Sequence, residues 1–398
     1  MRLGRALVLP VALAVGLAGG MVAGIVAQGQ PLDDVPDQAP VATNPPPVNP
    51  IVPATLLAWT PGGLPAGFAG RVSKLSGVDH VVAVESGIAW LSRSYSSTGP
   101  LVDRPPQGLA IPLEVAAAAP SRYGPFLAPG DRTVLPALAK GEAVLGASSA
   151  ALRHLGVGAE LRFGPLSLRV AGILPDADVG AHELFVSRAT ARRLGVKVDR
   201  YLLIDPAAGT SRERLSAGIR RALPPGALVQ IRGPGETPYF RQGDAVLPQV
   251  KIKQVFGEFA AKPIGGFLEI DPSWVAAHIV TATVPILGTV RCNRVLLPQL
   301  RGALAEIRSE GLSSLLDPAD FAGCFSPRFL NRIPNSIISH HSWGMAVDLN
   351  ARANPFGRTP HQDPRIVAAF ERWGFTWGGQ WLLPDGMHFE FLRFPSSG

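Results

Sequence analysis

Apolar and polar side chains alternate over Glu160–Phe163 and again over 166–170, with Gly164 and Pro165 between them. This pattern predicts two strands joined by a tight turn. Residues 183–186 predict a further strand. Ser187 follows where a helix N-cap belongs, before a short helix that reaches Leu194 and stops at Gly195. Toward the C-terminus the period lengthens. Leu300, Leu304 and Ile307 recur at helical spacing within 297–310, with Gly311 as the stop; Ile366, Val367, Phe370 and Trp373 repeat the pattern before Gly374. Residues 344–350 and 387–394 alternate as strands do. On the second of these, His388 and Glu390 share one face, while Phe389 and Phe391 share the face that should meet the core. Strands and helices are mixed along the chain, so the fold class expected is α+β.

The N-terminal pattern is different. Arg2 and Arg5 precede an uncharged run over 6–27, and Asp33, Asp34 and Asp37 follow it. Such a run is long enough for a helix to cross roughly 30 Å of hydrocarbon. The charge asymmetry predicts the N-terminus inside and the rest of the chain outside. We read 1–27 as an uncleaved signal anchor that makes the chain a single-pass bacterial membrane protein; the alternative is a cleaved signal peptide and secretion. Residues 28–58 are rich in proline and predict an extended, semi-stiff spacer. Residues 59–230 then read as one mixed α+β domain and 231–398 as a second. A short echo between 151–157 and 191–196 falls below what an internal repeat requires.

Composition narrows the function classes. The chain has 398 residues, 46% of them hydrophobic, and a formal net charge of +7. That charge suits an anionic partner, but no dense Lys/Arg run or interleaving of aromatic and basic residues points to nucleic acid. The two cysteines, Cys292 and Cys324, match no metal-binding spacing. They are read as a disulfide if the chain is exported, and otherwise as buried thiols. His80, His154 and His182 are scattered and read as structural or surface residues. The segment 241–253 suggests no role.

Candidate chemistry concentrates in two segments, 339–350 and 384–391. Two imidazoles and a carboxylate are a recurring ligand set for catalytic zinc, with a fourth position left for water. His341, Asp348 and His388 can supply it. His340 is an alternative ligand, and a plain turn histidine and strand histidine are the structural alternative. Hydrolysis also needs a base, for which Asp385 stands three residues before His388 and Glu390 two after it. An oxyanion donor could come from Arg328 or Arg332. Tryptophans cluster between Trp343 and Trp381, where core packing and a substrate platform are both open readings.

Ser339, His341, Gly344, Ala346 and Asp348 stand in the order S-x-H-x-x-G-x-A-x-D, and Asp385 and His388 in the order D-x-x-H. Both motifs resemble those of the VanY-type zinc D-alanyl-D-alanine carboxypeptidases and the related L-alanyl-D-glutamate endopeptidases. The run 373–381 is similar to the GFxWGGxW stretch of the endopeptidase-like branch. The resemblance extends over about 240–394. It implies a D,D-peptidase/hedgehog-like α+β zinc domain with a small antiparallel sheet. It also implies one Zn2+ per chain held by His341, Asp348 and His388, Asp385 as base and an upstream arginine on the oxyanion. The substrate implied is the stem peptide of peptidoglycan. A non-catalytic wall-binding or sensor protein is the alternative. Residues 59–230, most clearly 135–200, resemble the extracytoplasmic domain of MacB/FtsX-type permeases, which implies a docking or sensing module with a protein partner.

Overall fold

The computed structural model describes residues 44–395. The expected anchor, 6–27, lies outside them. No helix among the described residues is long and apolar enough to cross a membrane. Ten strands build one sheet: β1 (Leu56–Trp59), β2 (Val78–Leu91), β3 (Arg93–Tyr95), β4 (Ile111–Ala118), β5 (Ala143–Gly146), β6 (Glu160–Phe163), β7 (Leu166–Leu174), β8 (Leu184–Ser187), β9 (Asp199–Pro206) and β10 (Gln230–Arg232). Their order is β10-β1-β9-β2-β4-β8-β5-β7-β6-β3. Pairing is mostly antiparallel, with β4–β8 and β5–β7 parallel. The β6–β7 hairpin falls where the alternation put it, with Phe163 opposite Leu166. Ser187 caps the helix Arg188–Arg193 by accepting from the Thr190 N–H.

Helices and loops cover both faces of the central strands. All of β4 is buried, and successive residues feed different cores: Val115 and Leu184 on one side, Ala116 and Phe185 on the other. Glu114 lies in that buried strand and is satisfied by an ion pair to Arg241 and by the Gln249 N–H.

The remaining strands form small antiparallel units: β11 (Ala261–Ile264) with β12 (Phe267–Ile270), and β13 (Ile279–Val284) with β14 (Gly288–Asn293). The last three, β15 (Ala346–Asp348), β16 (Phe375–Trp377) and β17 (His388–Phe391), form a sheet in the order β15-β17-β16. The architecture is therefore α+β, with one large sheet and small antiparallel ones. The helices Leu297–Ser309 and Pro364–Arg372 appear where the periodicity placed them. The strands at 344–350 and 387–394 are shorter than the alternation suggested. Gly344, at φ 65°, ends a 3-10 turn, and Asn350, at φ 49°, turns the chain out after Asp348.

The proline-rich stretch also departs from a free spacer over its described part. Val48 is buried and exchanges backbone hydrogen bonds with Pro238 and Phe240, and Leu56–Trp59 enters the large sheet. Apolar Val48, Leu56 and Leu57 have core to join, which outweighs the stiffness of the prolines. Cys292 and Cys324 are joined, with 5.4 Å between Cα atoms. The bridge closes a loop containing the helix Leu297–Ser309, a constraint of roughly 3–4 kcal/mol in the chain-entropy account.

An ionic cluster ties the large sheet to the C-terminal part of the chain. Glu183 accepts from Lys253 at 2.7 Å and Arg153 at 3.3 Å, and from the Gln249 side chain at 2.7 Å. Lys253 and Arg153 share Glu258 as a second anion, and Lys251 pairs with Asp176 at 3.0 Å. The side chains of Arg153, Glu183 and Lys253 are wholly buried. These contacts lock the helix Gln249–Phe256, whose Phe256 enters the core that also contains Trp343 and Phe391, onto the sheet. Removing one charge from such a cluster strands the others in a medium of low dielectric. Glu183→Gln is therefore expected to lower the unfolding free energy by about 3 kcal/mol or more, measured by urea titration at constant m-value. A loss below about 1 kcal/mol would mean that the cluster does not hold the two parts together.

Candidate metal centre and its cleft

The site starts from strand register. In the β15–β17 pair, Asp348 lies opposite His388 and Ala346 opposite Glu390. Phe389 and Phe391 point the other way and are fully buried. That alternation puts Asp348, His388 and Glu390 on one face. His341 comes from the 3-10 turn His340–Trp343, which Gly344 closes. A Cβ on Gly344 would lie 2.7 Å from the Asn293 nitrogen, so only glycine lets this turn sit against β14.

One nitrogen of each histidine and one carboxylate oxygen of Asp348 lie within 4.8 Å of one another. His341 donates from Nδ1 to the Cys324 carbonyl at 2.8 Å, which turns its bare Nε2 inward. His388 donates from Nε2 to Glu390 at 3.1 Å, which turns Nδ1 inward. The inward atoms then crowd together. Nε2 of His341 is 3.2 Å from Nδ1 of His388 and 3.2 Å from Asp348 Oδ2, and Nδ1 of His388 is 3.0 Å from Oδ1. Two imidazole nitrogens and a carboxylate at such distances could hold a cation among them. The outer partners orient the rings as supporting groups do in metal sites.

The electrostatics agree. Burial alone would lower the His388 pKa, but hydrogen bonds and charge from Asp348 and Glu390 raise it to about 10. A proton thus fills the cation's place in the bare chain. Burial alone would raise the Asp348 pKa, yet His341 and His388 hold it well below the usual carboxylate range. Glu390 is pulled to about 2, against the effect of burial, by the charge and hydrogen bond of His340 and by His388. His340 donates to Glu390 at 2.7 Å and stands outside the triad. Glu390 is committed to two imidazoles.

Asp385 sits at the triad's edge. Its backbone carbonyl accepts from the His388 N–H at 3.1 Å, and its N–H reaches the Gly378 carbonyl at 2.8 Å. A side chain at Gly378 would collide with the Asp385 carbonyl at 2.6 Å, so this glycine permits the approach. Oδ1 of Asp385 is buried without a hydrogen-bond partner. Burial, with a smaller push from Asp348, raises its pKa. Arg328 is half-buried, with its backbone fixed by a reciprocal exchange with the Ser342 hydroxyl at 3.0 and 3.1 Å. Burial lowers its pKa, opposed by Asp348 and Asp385. The structure separates the two candidate arginines: Arg328 lines the cleft, whereas Arg332 lies 5.6 Å over the Phe267 ring and does not. Trp381 lines the cleft with its ring 5.3 Å from that of His388, while Trp373 and Trp377 use their N–H groups to fasten Glu306 and Gly386. His361 is exposed and lies off the cleft.

The cleft holds about 370 Å³. It is lined by His341, Asp348, Asp385 and His388 and, from the large sheet and its exit, by Trp59, Arg200, Arg241, Gln242 and Asp244. Nothing in the local sequence around the latter residues signals the cleft, because they approach it only through the tertiary fold. The segment 241–253, without a role in the sequence, supplies both part of this lining and the helix that docks the sheet.

Among solved structures, the periplasmic region of MacB from Actinobacillus actinomycetemcomitans aligns at 13% identity, covering 45% of this chain and 88% of its own, with a TM-score of 0.32. The extracellular domain of the noncanonic ABC-type transporter YknZ from Gram-positive bacteria aligns at 13% identity, covering 45% of this chain and 100% of its own, with a TM-score of 0.30. No curated protein matches the chain. Residues 333–391, which contain His341, Asp348, Asp385 and His388, match the peptidase family described as D-alanyl-D-alanine carboxypeptidase.

Proposed function

We propose that this chain is an extracytoplasmic zinc peptidase that hydrolyses peptide bonds in peptidoglycan stem peptides. The observation that carries the reading is the convergence of His341 Nε2, His388 Nδ1 and Asp348 beside the unpartnered carboxylate of Asp385. The donor set fits zinc: two imidazoles, each backed by a hydrogen-bond acceptor, and one anionic oxygen. Zn2+, when bound, polarises a carbonyl and brings the pKa of a water from about 15.7 toward about 7.

The chain's own groups do the rest. Asp385 takes the proton of the attacking water on its free Oδ1 and delivers it to the leaving amine. Its raised pKa favours taking up that proton. Arg328 donates to the oxygen that gains charge in the transition state, at the half-buried edge of the cleft where such a contact counts for more than in water. Trp381 and the lining from the large sheet limit water and position the peptide. The Cys292–Cys324 bridge suits an oxidising compartment outside the membrane.

Two bonds suit this site. The matched family is described by D-alanyl-D-alanine cleavage, whereas the 373–381 run resembles the endopeptidase branch that cuts L-alanyl-D-glutamate. Defined muropeptides read by mass distinguish them: free D-alanine marks the carboxypeptidase, and a peptide beginning with D-glutamate marks the endopeptidase. Binding without products, by a purified chain that also lacks stoichiometric metal, would overturn the enzyme reading in favour of a wall-binding protein.

His388→Ala is expected to lose the metal found in the parent protein, at about one ion per chain, by elemental analysis. Zinc must displace the His388 proton, so zinc affinity should weaken as pH falls and binding should release protons into a weak buffer. In the metal-free chain the sign is opposite. The folded pKa of about 10 exceeds the ordinary 6.5, so this group stabilises fully below pH 6.5 and loses that contribution as pH rises through about 10. Asp385→Asn should lower kcat by about 10²- to 10⁴-fold with zinc retained. Arg328→Gln should lower it by about 10²- to 10³-fold, and Arg332→Gln by less than about twofold. Equal losses at the two arginines would refute the placement of Arg328.

A further inference from the structure

The part of the cleft formed by the large sheet carries a cation, Arg200, that pairs with no anion among the described residues. Arg200 stands at the start of β9 as the residue left without a register partner, since Val84 of β2 faces Tyr201 and Glu85 faces Asp199. Such bulges re-aim side chains at the edges of sites. Arg200 lines the same cavity as His341, Asp348 and His388. Its neighbours in chain and register, Asp199 and Glu85, are both taken by Arg188, at 2.8 and 2.7 Å. Arg241 in the same part of the cleft is committed to Glu114. Arg200 makes no ion pair among the described residues. Its one side-chain hydrogen bond is long, 3.4 Å from Nε to the Ser86 carbonyl. The Ser86 hydroxyl is itself held by His182 and Gln242, so that carbonyl is a fixed post. Burial lowers the Arg200 pKa and no neighbouring anion offsets the effect. The charge stays on the guanidinium, half-desolvated and with its Nη donors uncommitted.

A guanidinium in that condition is matched by a carboxylate, which it can bind through two parallel hydrogen bonds. Arg200 lines the cleft that a peptide would enter, so a carboxylate there has an uncommitted guanidinium to meet. We infer that Arg200 is a specificity-determining residue that reads a substrate carboxylate lying away from the scissile bond, so that the large sheet forms part of the substrate site. The inference rests on the peptidase reading for the identity of the ligand, an acidic peptide. An internal and a C-terminal carboxylate offer the same chemistry, and the experiment separates the two.

The test uses the full chain without added metal and three synthetic stem-type pentapeptides: one with free internal and C-terminal carboxylates, one with the internal carboxylate converted to carboxamide, and one with a C-terminal carboxamide. Binding is read by calorimetry. The parent protein is expected to bind the fully acidic peptide about tenfold or more tightly than one of the two amides, and that amide identifies the carboxylate read. Arg200→Gln should abolish the preference, and Arg200→Lys should keep part of it; thermal unfolding checks that each variant is folded. Equal binding of all three peptides by the parent protein overturns the inference, as does a preference that survives in folded Arg200→Gln. Should Arg200→Gln not fold, the same comparison between the parent and Arg200→Lys decides, a preference unchanged by the shorter, non-forked cation overturning it. Cleavage after zinc loading is scored separately. A carboxylate preference without cleavage sinks the peptidase reading alone, and cleavage without the preference sinks this inference alone.

Discussion

Asp348 sits between two imidazoles that would otherwise repel. Its two oxygens reach His341 and His388 at 3.2 and 3.0 Å, and strand register places it directly opposite His388. Each ring is also held from behind, by the Cys324 carbonyl or by Glu390, so neither can turn away to relieve the crowding. The Cys292–Cys324 bridge anchors the segment that supplies that carbonyl and pairs with Asp348 through Gly323. A cluster preorganised in this way favours a cation because the cost of bringing the donors together is met during folding.

The second constraint is the buried ionic cluster around Glu183. Charges this deep are costly unless every one is answered, and here Lys253, Arg153 and Gln249 converge on one carboxylate. The arrangement fixes the helix Gln249–Phe256 on the large sheet, and the sheet thereby becomes part of the cleft. Hydrophobic packing continues across the same junction, since Ile88 and Ala181 join the core that contains Phe256, Trp343 and Phe391. The site is thus shaped by two parts of the chain that read as separate in sequence.

Much of the site was legible because its chemistry is local. The spacing from Ser339 to Asp348 and from Asp385 to His388 depends on a tight turn and a strand, both of which short-range pattern encodes. The alternation at 387–394 put Phe389 in the core and His388 in the site, although backbone turns at Gly344 and Asn350 kept the strands shorter than the pattern suggested. The choice between Arg328 and Arg332 was not legible. Both lie in one irregular loop, and only the Ser342 exchange and the approach of Phe267 send one toward the cleft and the other away. The proline-rich stretch misled for a similar reason: proline content predicts stiffness, but burial of Val48, Leu56 and Leu57 depends on partners far along the chain.

By itself the sequence determined the α+β class, the hairpin at 160–170 and the helix stops, because each follows from side chains within about ten positions of one another; His341, Asp348 and His388 stood out as a candidate set through two motifs far apart in the chain, which strand pairing brings together. Tertiary structure alone decided which ring nitrogens face inward, which arginine enters the cleft, and that Trp59, Arg200 and Asp244 line the same cavity as His388. Those outcomes depend on contacts between residues far apart in the chain. Long-range packing and buried charge set such contacts, and neither leaves a periodic trace in the sequence.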